Sequence, residues 1–247
     1  NDLIASKGSS TFSAITPMGR QHENDREATA ADLKWLADPA EEPEPFGDGG
    51  TKMAWSTFNV VSIYPNGNPV MSDVNQRWVG DCCACAVIAS MAYLYPRFVK
   101  HIIKDNMDKT YTDPKGKQIS VGVGGDYFIG NSGDLGALGG RNKEVTWATI
   151  LEKAMIKWNQ IYQGSSNVGG IGTEYVSAIF TGDGESVGFG ANALIAEDLQ
   201  RAVEVSLKQG RLVIGGFTRS GEQVDQNWQT TSGHAFTFIL PDDNTHL

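Results

Sequence analysis

The feature that most constrains the fold is a long amphipathic segment between residues 147 and 162. Its apolar residues recur at steps of three and four over about four turns, which is the period of one helix face. The apolar positions are Trp147, Ile150, Leu151, Ala154, Met155, Trp158, Ile161 and Tyr162. So wide an apolar face needs other elements packed around it, and the pattern therefore predicts a core helix rather than a ligand-binding stripe.

The composition is that of a folded protein. The chain has 247 residues, enough for one large domain or for two lobes that each bury a core. Its net charge of −9 disfavours a nucleic-acid partner, because a phosphate backbone selects cationic surfaces. No apolar run approaches the roughly 18 residues that a membrane span needs. We therefore predict a soluble globular protein with neither a nucleic-acid partner nor a membrane span.

The first 70 residues differ in composition from the rest. An acidic, proline-bearing run at 39–45 is followed by the glycine-rich Gly47–Gly50, which is typical of an extension or linker. One short helix from about Thr29 to Leu36 is expected inside this segment, with Thr29 as its N-cap. The whole segment is predicted to be a solvated N-terminal extension, or a propeptide that covers the cleft as an inhibitory segment of a zymogen.

Three further helices are predicted from periodicity and stop signals. One begins at Cys82, and a second begins at Pro96, since proline suits a first turn but not a helix interior. A third, over about 199–207, ends at Gly210, where a left-handed cap is usual. The apolar face of the first comprises Val87, Ile88, Met91, Leu94 and Tyr95.

The remaining pattern favours strands. A glycine-rich stretch at 164–172 indicates a boundary between lobes. Two apolar runs, at 211–217 and 235–240, follow late in the chain and are predicted to be strands. Helices early and strands late indicate an α+β protein in which the two types are segregated.

Cys82 is the best candidate nucleophile. It follows Gly80-Asp81 and opens a helix, so its sulfur would face unpaired backbone N–H groups and the positive end of the helix dipole. That environment favours a thiolate, although a buried structural cysteine is the alternative. Cys83 and Cys85 are expected to pack as small apolar groups. Cys82 and Cys85 also form a CxxC, which leaves open a redox pair or half of a zinc site, but no second cysteine or histidine pair completes the zinc site.

His234 is the candidate general base. A thiolate nucleophile needs a base that can also return the proton to the leaving amine. His234 follows a glycine and precedes a predicted strand, whereas the other three histidines are His22, His101 and His246. A different nucleophile, Ser186, lies in a GxSxG pattern, but the residues before it indicate a loop rather than the strand that a nucleophile elbow needs.

The order of these blocks resembles the calpain family of cysteine proteases. Residues 73–82, followed by 86–90, are similar to the family's Gln-Gly-x-x-Gly-Asp-Cys and the Ala-Ser helix that it opens. Three more blocks follow in the family's order: Leu151–Ala154, Leu207–Gly210 and Gly233–Ala235. The resemblance covers about residues 70–240 and is nearest to the bacterial calpain-like peptidases.

The resemblance implies a papain-like α+β fold with two lobes and a peptide cleft between them. Residues 71–166 would form a helical lobe with the nucleophile, and 167–247 a β-rich lobe that is incomplete at its C-terminus. Cys82 would be the nucleophile, His234 the general base and acid, and Gln76 an oxyanion donor. The substrates would be proteins or peptides, and a secreted or cell-envelope location in a bacterium is favoured.

The resemblance also implies calcium. Calpain lobes bind Ca²⁺, and Asp73 and Glu144 are similar to ligand positions of the family. Carboxylate oxygens at both lobes would let the ion set the cleft geometry.

The chain departs from the family at three places. Arg77 replaces the glycine after the oxyanion glutamine, and Cys83 replaces the tryptophan after the nucleophile. The family's triad asparagine lies some two dozen residues beyond the histidine, and Asn244 is too near to His234 to be assigned. A separate C-terminal fragment could supply it. The alternatives are a papain-like binding or regulatory module without catalysis and, third, a serine hydrolase using Ser186.

Overall fold

The fold is a mixed α+β arrangement with its hydrophobic core around one central helix. The computed structural model describes residues 12–16, 25–46, 53–60, 62–105, 119–181, 187–188, 194–217, 223–225, 228–229 and 233–240. The helices are α1 (Ala30–Ala37), α2 (Cys82–Leu94), α3 (Pro96–Ile102), α4 (Trp147–Tyr162), α5 (Thr173–Thr181) and α6 (Ala196–Lys208). The strands are β1 (Phe12–Thr16), β2 (Ala54–Thr57), β3 (Ile103–Asp105), β4 (Ile119–Val123), β5 (Asp126–Ile129), β6 (Ile214–Phe217), β7 (Gln223–Asp225), β8 (Trp228–Gln229) and β9 (His234–Thr237).

The strands form small antiparallel sheets. β1 lies between β3 and β4, while β2 pairs with β5. Later in the chain β6 pairs with β9, and β7 with β8. The α+β class is therefore confirmed, but the expected order of helices first and strands last is wrong, because β1–β5 precede α4 and two helices follow it.

The predicted helices are confirmed. Thr29 caps α1 with its side chain, which accepts from Asp32 N, and Asp32 in turn accepts from Thr29 N. α2 and α3 are separated at Tyr95, and α6 is followed by Gly210, whose N–H is donated to Leu207 O. α5 was not expected from the sequence, where glycines dominate the residues before it; it packs against α2.

α4 is buried on nearly all sides rather than on one face. Fifteen of its residues are buried, including the polar Thr149, Glu152, Lys153, Lys157 and Asn159. The apolar period predicted the helix correctly, but it also implied a solvated polar face. Buried charges are costly unless they are paired and hydrogen-bonded, so each of these side chains needs partners from neighbouring segments.

The segment 25–46 supplies partners for the two buried lysines. Lys153 Nζ pairs with the Glu42 carboxylate at 2.6 Å and lies 4.8 Å from the Trp55 ring centre. Lys157 Nζ donates to Asp38 O at 2.8 Å and lies 4.8 Å from the Trp35 ring centre. Burial is the main cause that lowers the pKa of both lysines, that of Lys157 to about 8. The charged groups of α4 thus attach residues 25–46 to the core.

This packing corrects the expectation of a solvated extension. Leu36 and Phe46 belong to the hydrophobic core, and so do Ile63 and Tyr64 further along. Proline and acidic residues predicted linker chemistry, but the acidic Glu42 is a partner of a buried lysine. The functional boundaries of the three predicted segments, 1–70, 71–166 and 167–247, stay predictions.

Among the residues that the structure describes, no single helix is long and apolar enough to cross a membrane. The consecutive helices α2 and α3 meet the length and composition criteria only when taken together, and they are bent by 113°.

The ion pair between Glu42 and Lys153 yields a stability prediction. Glu42→Gln keeps the shape of the side chain but leaves the buried ammonium without its carboxylate, so we expect a loss of about 2 kcal/mol in the free energy of unfolding. Glu41→Gln, on the exposed neighbouring side chain, is the matched control and should change it by less than about 0.5 kcal/mol. Urea unfolding at neutral pH measures both. Equal midpoints for the two variants would show that the pair contributes nothing to docking of residues 25–46.

Candidate active site around Cys82

Cys82 is the first residue of α2, with Asp81 at the N-cap position. Its side chain is 8% exposed, and its Sγ–H donates to Gly233 O at 3.6 Å. The first backbone N–H groups of any helix have no intrahelical partner, so the sulfur lies where the helix offers unpaired donors and the positive end of its dipole. This is the local environment that the sequence predicted for Cys82.

His234 is the first residue of β9, directly after the glycine that Cys82 contacts. β9 pairs with β6 and packs against α2. Gly233 has a φ of +67°, a conformation that other residues rarely adopt, and it turns the chain into β9 beside the start of α2. The segments of Cys82 and His234 are therefore neighbours. The sulfur bonds to the Gly233 backbone, while the His234 side chain is exposed.

Gln76 lies in the loop that leads to Cys82. Its Nε2 donates to Val79 O at 2.9 Å within the same loop. The loop is held from outside by the glycine-rich residues 130–141: Asn75 exchanges backbone hydrogen bonds with Gly139, and the Arg77 guanidinium donates to Gly140 O. Arg77, a departure from the family pattern, thus fastens this loop.

Trp78 presents an exposed aromatic surface on the same loop. Its side chain is 54% exposed, and its backbone N–H donates to Gly136 O at 3.0 Å. The indole lies against Gly130 so closely that a Cβ at that position would overlap it. Glycine at 130 therefore allows a large apolar ring to lie four residues from the candidate nucleophile.

A buried pair of carboxyl groups lies behind Cys82. Asp81 and Glu152 are 0% and 1% exposed, and their carboxyl groups lie close enough for the charge of one to act on the other. Glu152 also accepts from Leu138 N at 2.9 Å, and the Cys85 thiol donates to Asp81 Oδ1 at 3.4 Å. Burial, followed by the charge of Asp81, raises the pKa of Glu152 well above its usual range and so favours its protonated form.

Sequence reasoning missed this pair. Glu152 was noted only within a block shared with the calpain family, and Asp81 only as part of the motif before Cys82. The signal available was the position of Glu152 on the predicted core helix, where an acidic side chain has to find a partner.

The other two cysteines differ in their surroundings. Cys83 is half-buried, and burial together with the adjacent Cys82 raises its pKa to about 11. Burial, followed by the carboxylate of Asp81, raises the pKa of Cys85 well above its usual range. All three thiols are free.

Asp73 does not fit a calcium site. It is 2% exposed, and its carboxylate accepts from Asn66 Nδ2 at 2.8 Å, from Val70 N at 3.2 Å and from Trp147 Nε1 at 2.6 Å. Three donors on one carboxylate leave little capacity for a cation that prefers six to eight oxygen ligands. Asp73 instead fixes the start of α4.

The second expected calcium ligand, Glu144, is half-buried, and its carboxylate lies against Gly140. Within the described ranges, no group of three or more His, Cys, Asp or Glu side chains could hold a metal ion. The zinc alternative at Cys82 and Cys85 likewise finds no such group of three ligands within these described ranges. Calcium dependence stays a prediction of the resemblance alone.

Of the remaining candidates of the sequence, the structure describes His101 alone. Ser186, His22, His246 and Asn244 lie outside the described residues. His101 lies on α3 and is exposed. The described structure therefore brings together the segments of Cys82, His234 and Gln76.

A hollow of about 440 Å³ opens between the end of α4 and the start of α5. Asn159, Gln163 and Tyr175 contribute polar side chains to its lining. Gly170, also in the lining, donates its N–H to Gly80 O at 3.2 Å. The hollow thus adjoins the loop that leads to the candidate nucleophile.

No protein-family model matches the sequence, and a search of curated proteins finds no significant relative. Any functional conclusion therefore has to come from the chain's own residues and geometry.

The proton on Glu152 yields a pH prediction. The unfolded chain loses this proton near the ordinary value of 4.5, whereas the folded protein keeps it to higher pH because its pKa is raised. The resulting stabilisation is complete below that ordinary value and is lost as pH rises through the raised pKa, with a slope of at most about 1.4 kcal/mol per pH unit. Glu152→Gln keeps a donor to Asp81 and has no proton to lose. Its urea midpoint should therefore fall less than that of the wild type between pH 5 and pH 9.

The exposed Glu174 on α5 gives the control for this comparison. Glu174→Gln should retain the pH dependence of the wild type. An identical decline for the wild type and Glu152→Gln would contradict a proton held at Glu152.

Proposed function

We propose that the protein is a calpain-like cysteine endopeptidase with a papain-like two-lobe fold. The observation that carries the proposal is the 3.6 Å contact between Cys82 Sγ and Gly233 O. It brings the start of α2 and the start of β9 together, although the two residues are 151 positions apart in the chain. A nucleophile and a base on two adjacent elements are what thiol-dependent acyl transfer requires.

The proposed reaction has two halves. The Cys82 thiolate attacks the scissile carbonyl, and the imidazolium of His234 gives its proton to the leaving amine, so that a thioester to Cys82 remains. His234 then takes a proton from water, whose oxygen attacks the thioester and releases the carboxylic acid and the thiol. Before the first half, the sulfur exchanges its bond to the Gly233 carbonyl for the His234 ring, which is exposed and one residue away.

Two donors are available for the oxyanion of the tetrahedral intermediate. The backbone N–H of Cys82 lies at the helix start, where it lacks an intrahelical acceptor. The Gln76 amide has two hydrogens, and its bond to Val79 O uses one of them. The second hydrogen would complete an oxyanion hole. The loop that leads to Cys82 would hold the donors of this hole rigidly.

Trp78 suggests how a peptide would be held. An exposed indole on the loop before the nucleophile offers an apolar surface to a substrate side chain, and aromatic rings carry much of the energy of peptide contacts. The acidic net charge of the chain makes basic or neutral peptides better partners than acidic ones.

A second function is favoured by one specific observation. Cys82 is 8% exposed and bonds to a backbone carbonyl rather than to the His234 ring, which suits a non-catalytic papain-like module that binds peptides. The two functions differ in whether Cys82 can be acylated.

Covalent labelling distinguishes the two functions. A thiol-directed peptide epoxide, added with and without calcium, should modify Cys82 and inactivate cleavage of a denatured protein substrate. Cys82→Ala and His234→Ala should lose cleavage, whereas Cys83→Ser should retain both labelling and cleavage, because Cys83 has no role in the proposed reaction. Peptide mapping by mass spectrometry locates the adduct. A Cys82 that stays unmodified under both conditions would favour the binding module.

The role of Gln76 is tested by comparing two reactions of the same sulfur. Gln76→Ala should lower kcat for peptide hydrolysis by about 10²–10³, because one oxyanion donor is lost. Alkylation of Cys82 by iodoacetamide forms no oxyanion. Its rate should therefore change by less than about threefold in the variant, well below the fall in kcat that a lost oxyanion donor causes. A similar loss in both reactions would mean that Gln76 merely supports the loop.

A further inference from the structure

We propose that Cys82 and Cys85 form a reversible redox pair in which Cys85 is the resolving thiol. Cys82 is the first residue of α2, and Cys85 lies three residues later in the first turn, where its backbone N–H donates to Asp81 O. Residues three apart on a helix lie on the same side, with Cα atoms about 5 Å apart. That separation falls inside the range of about 4.4–6.8 Å found for disulfides.

The surroundings of Cys85 keep its side chain in the protonated thiol form. Its hydrogen bond to Asp81 Oδ1, at 3.4 Å, holds the Sγ–H against a carboxylate that is itself fully buried. The groups that face it are Cys82 on its own helix, Asp81 in the preceding loop and Glu152 from α4. This thiol therefore keeps its proton until an oxidised partner lies beside it and the carboxylate accepts that proton.

The acid pair can take up that proton. Asp81 accepts from the Cys85 thiol and lies beside Glu152, so one carboxylate already lies at the proton to be removed. Leu138 N holds the far oxygen of Glu152 at 2.9 Å and keeps the pair in place. The buried Asp81 carboxylate, which accepts from the Cys85 thiol, has no role in the proposed peptidase reaction. In the redox pair its role is to accept the Cys85 proton.

Cys83 is excluded as the partner by geometry. The Cys83 side chain interacts with that of Cys82, but consecutive Cα atoms across a trans peptide are about 3.8 Å apart, below the usual disulfide range. Cys83 is nonetheless adjacent to Cys82, half-buried and free, which makes it a matched control.

The chemistry uses a hydroperoxide as the oxidant. The Cys82 thiolate attacks one peroxide oxygen, which breaks the O–O bond and gives a sulfenic acid and, with hydrogen peroxide, water. Asp81 then takes the Cys85 proton, and the resulting thiolate attacks the Cys82 sulfur. The S–O bond breaks, hydroxide leaves and recovers the proton as water, and the disulfide remains. Overall two thiols are oxidised, one peroxide is reduced to two waters, and a dithiol reverses the change.

Formation of the disulfide does not depend on the proposed function. Only its effect on peptidase activity rests on that proposal. If Cys82 is a peptidase nucleophile, the disulfide switches the enzyme off and shields the sulfur from irreversible oxidation. Disulfide formation itself is measured without any peptidase assay, so its failure and the failure of the peptidase proposal are separable.

The experiment oxidises the wild type, Cys85→Ser and Cys83→Ser with hydrogen peroxide, blocks remaining thiols and maps the peptides. In the wild type and in Cys83→Ser, the mass should fall by two hydrogens and the peptides should show a disulfide between Cys82 and Cys85. Dithiothreitol should restore both thiols. Cys85→Ser should instead accumulate sulfinic acid at Cys82, at roughly tenfold or more the amount in the wild type, because no thiol captures the sulfenic acid. A link from Cys82 to Cys83, or equal overoxidation of the wild type and Cys85→Ser, would overturn the proposal.

The role of Asp81 is measured in the same reaction. Asp81→Asn keeps a side chain of similar shape but cannot accept the Cys85 proton. Trapping with dimedone should show a longer-lived sulfenic acid at Cys82, with disulfide formation at pH 7 slowed by roughly tenfold or more. Circular dichroism checks that the variant is folded. Disulfide formation at the wild-type rate in a folded variant would remove Asp81 from the mechanism.

Discussion

The burial of α4 on nearly all sides is the constraint on which the rest of the structure depends. A helix with charged residues can be buried only if every charge finds a partner, and for α4 these partners come from other segments of the chain. Lys153 and Lys157 hold residues 25–46, Trp147 holds Asp73, and Glu152 holds the N-cap of α2 through Asp81. The side chains that stabilise the core therefore also position the candidate nucleophile.

The electrostatics near Cys82 follow from that arrangement. Burial and the neighbouring Asp81 raise the pKa of Glu152, and the Cys85 thiol donates to Asp81 Oδ1 behind the first turn of α2. In our account the helix start and His234 activate Cys82, while the buried carboxyl pair serves Cys85.

Local periodicity and capping were enough to predict α1, α2, α3, α4 and α6, because those signals depend only on nearby residues. The packing of residues 25–46 was not predictable in this way, since Glu42 finds its lysine 111 positions later. The same holds for the Asp81–Glu152 pair. At the candidate site, the motif order selected the segments of Cys82 and His234, and the structure brings these two segments together; their role in catalysis stays a prediction. It also assigns Asp73 a structural bond to Trp147 that the resemblance did not suggest.

The central claim is that the Cys82 sulfur and the His234 ring can meet in the folded protein. A bifunctional α-haloketone tests this directly, because its two reactive carbons bridge a thiol and an imidazole only when both lie within a few bonds of each other. Our account predicts a single bridged product that joins the peptides of Cys82 and His234 and that disappears on unfolding before treatment. Capture of Cys82 alone, with His234 unmodified at full alkylation of the sulfur, would contradict it.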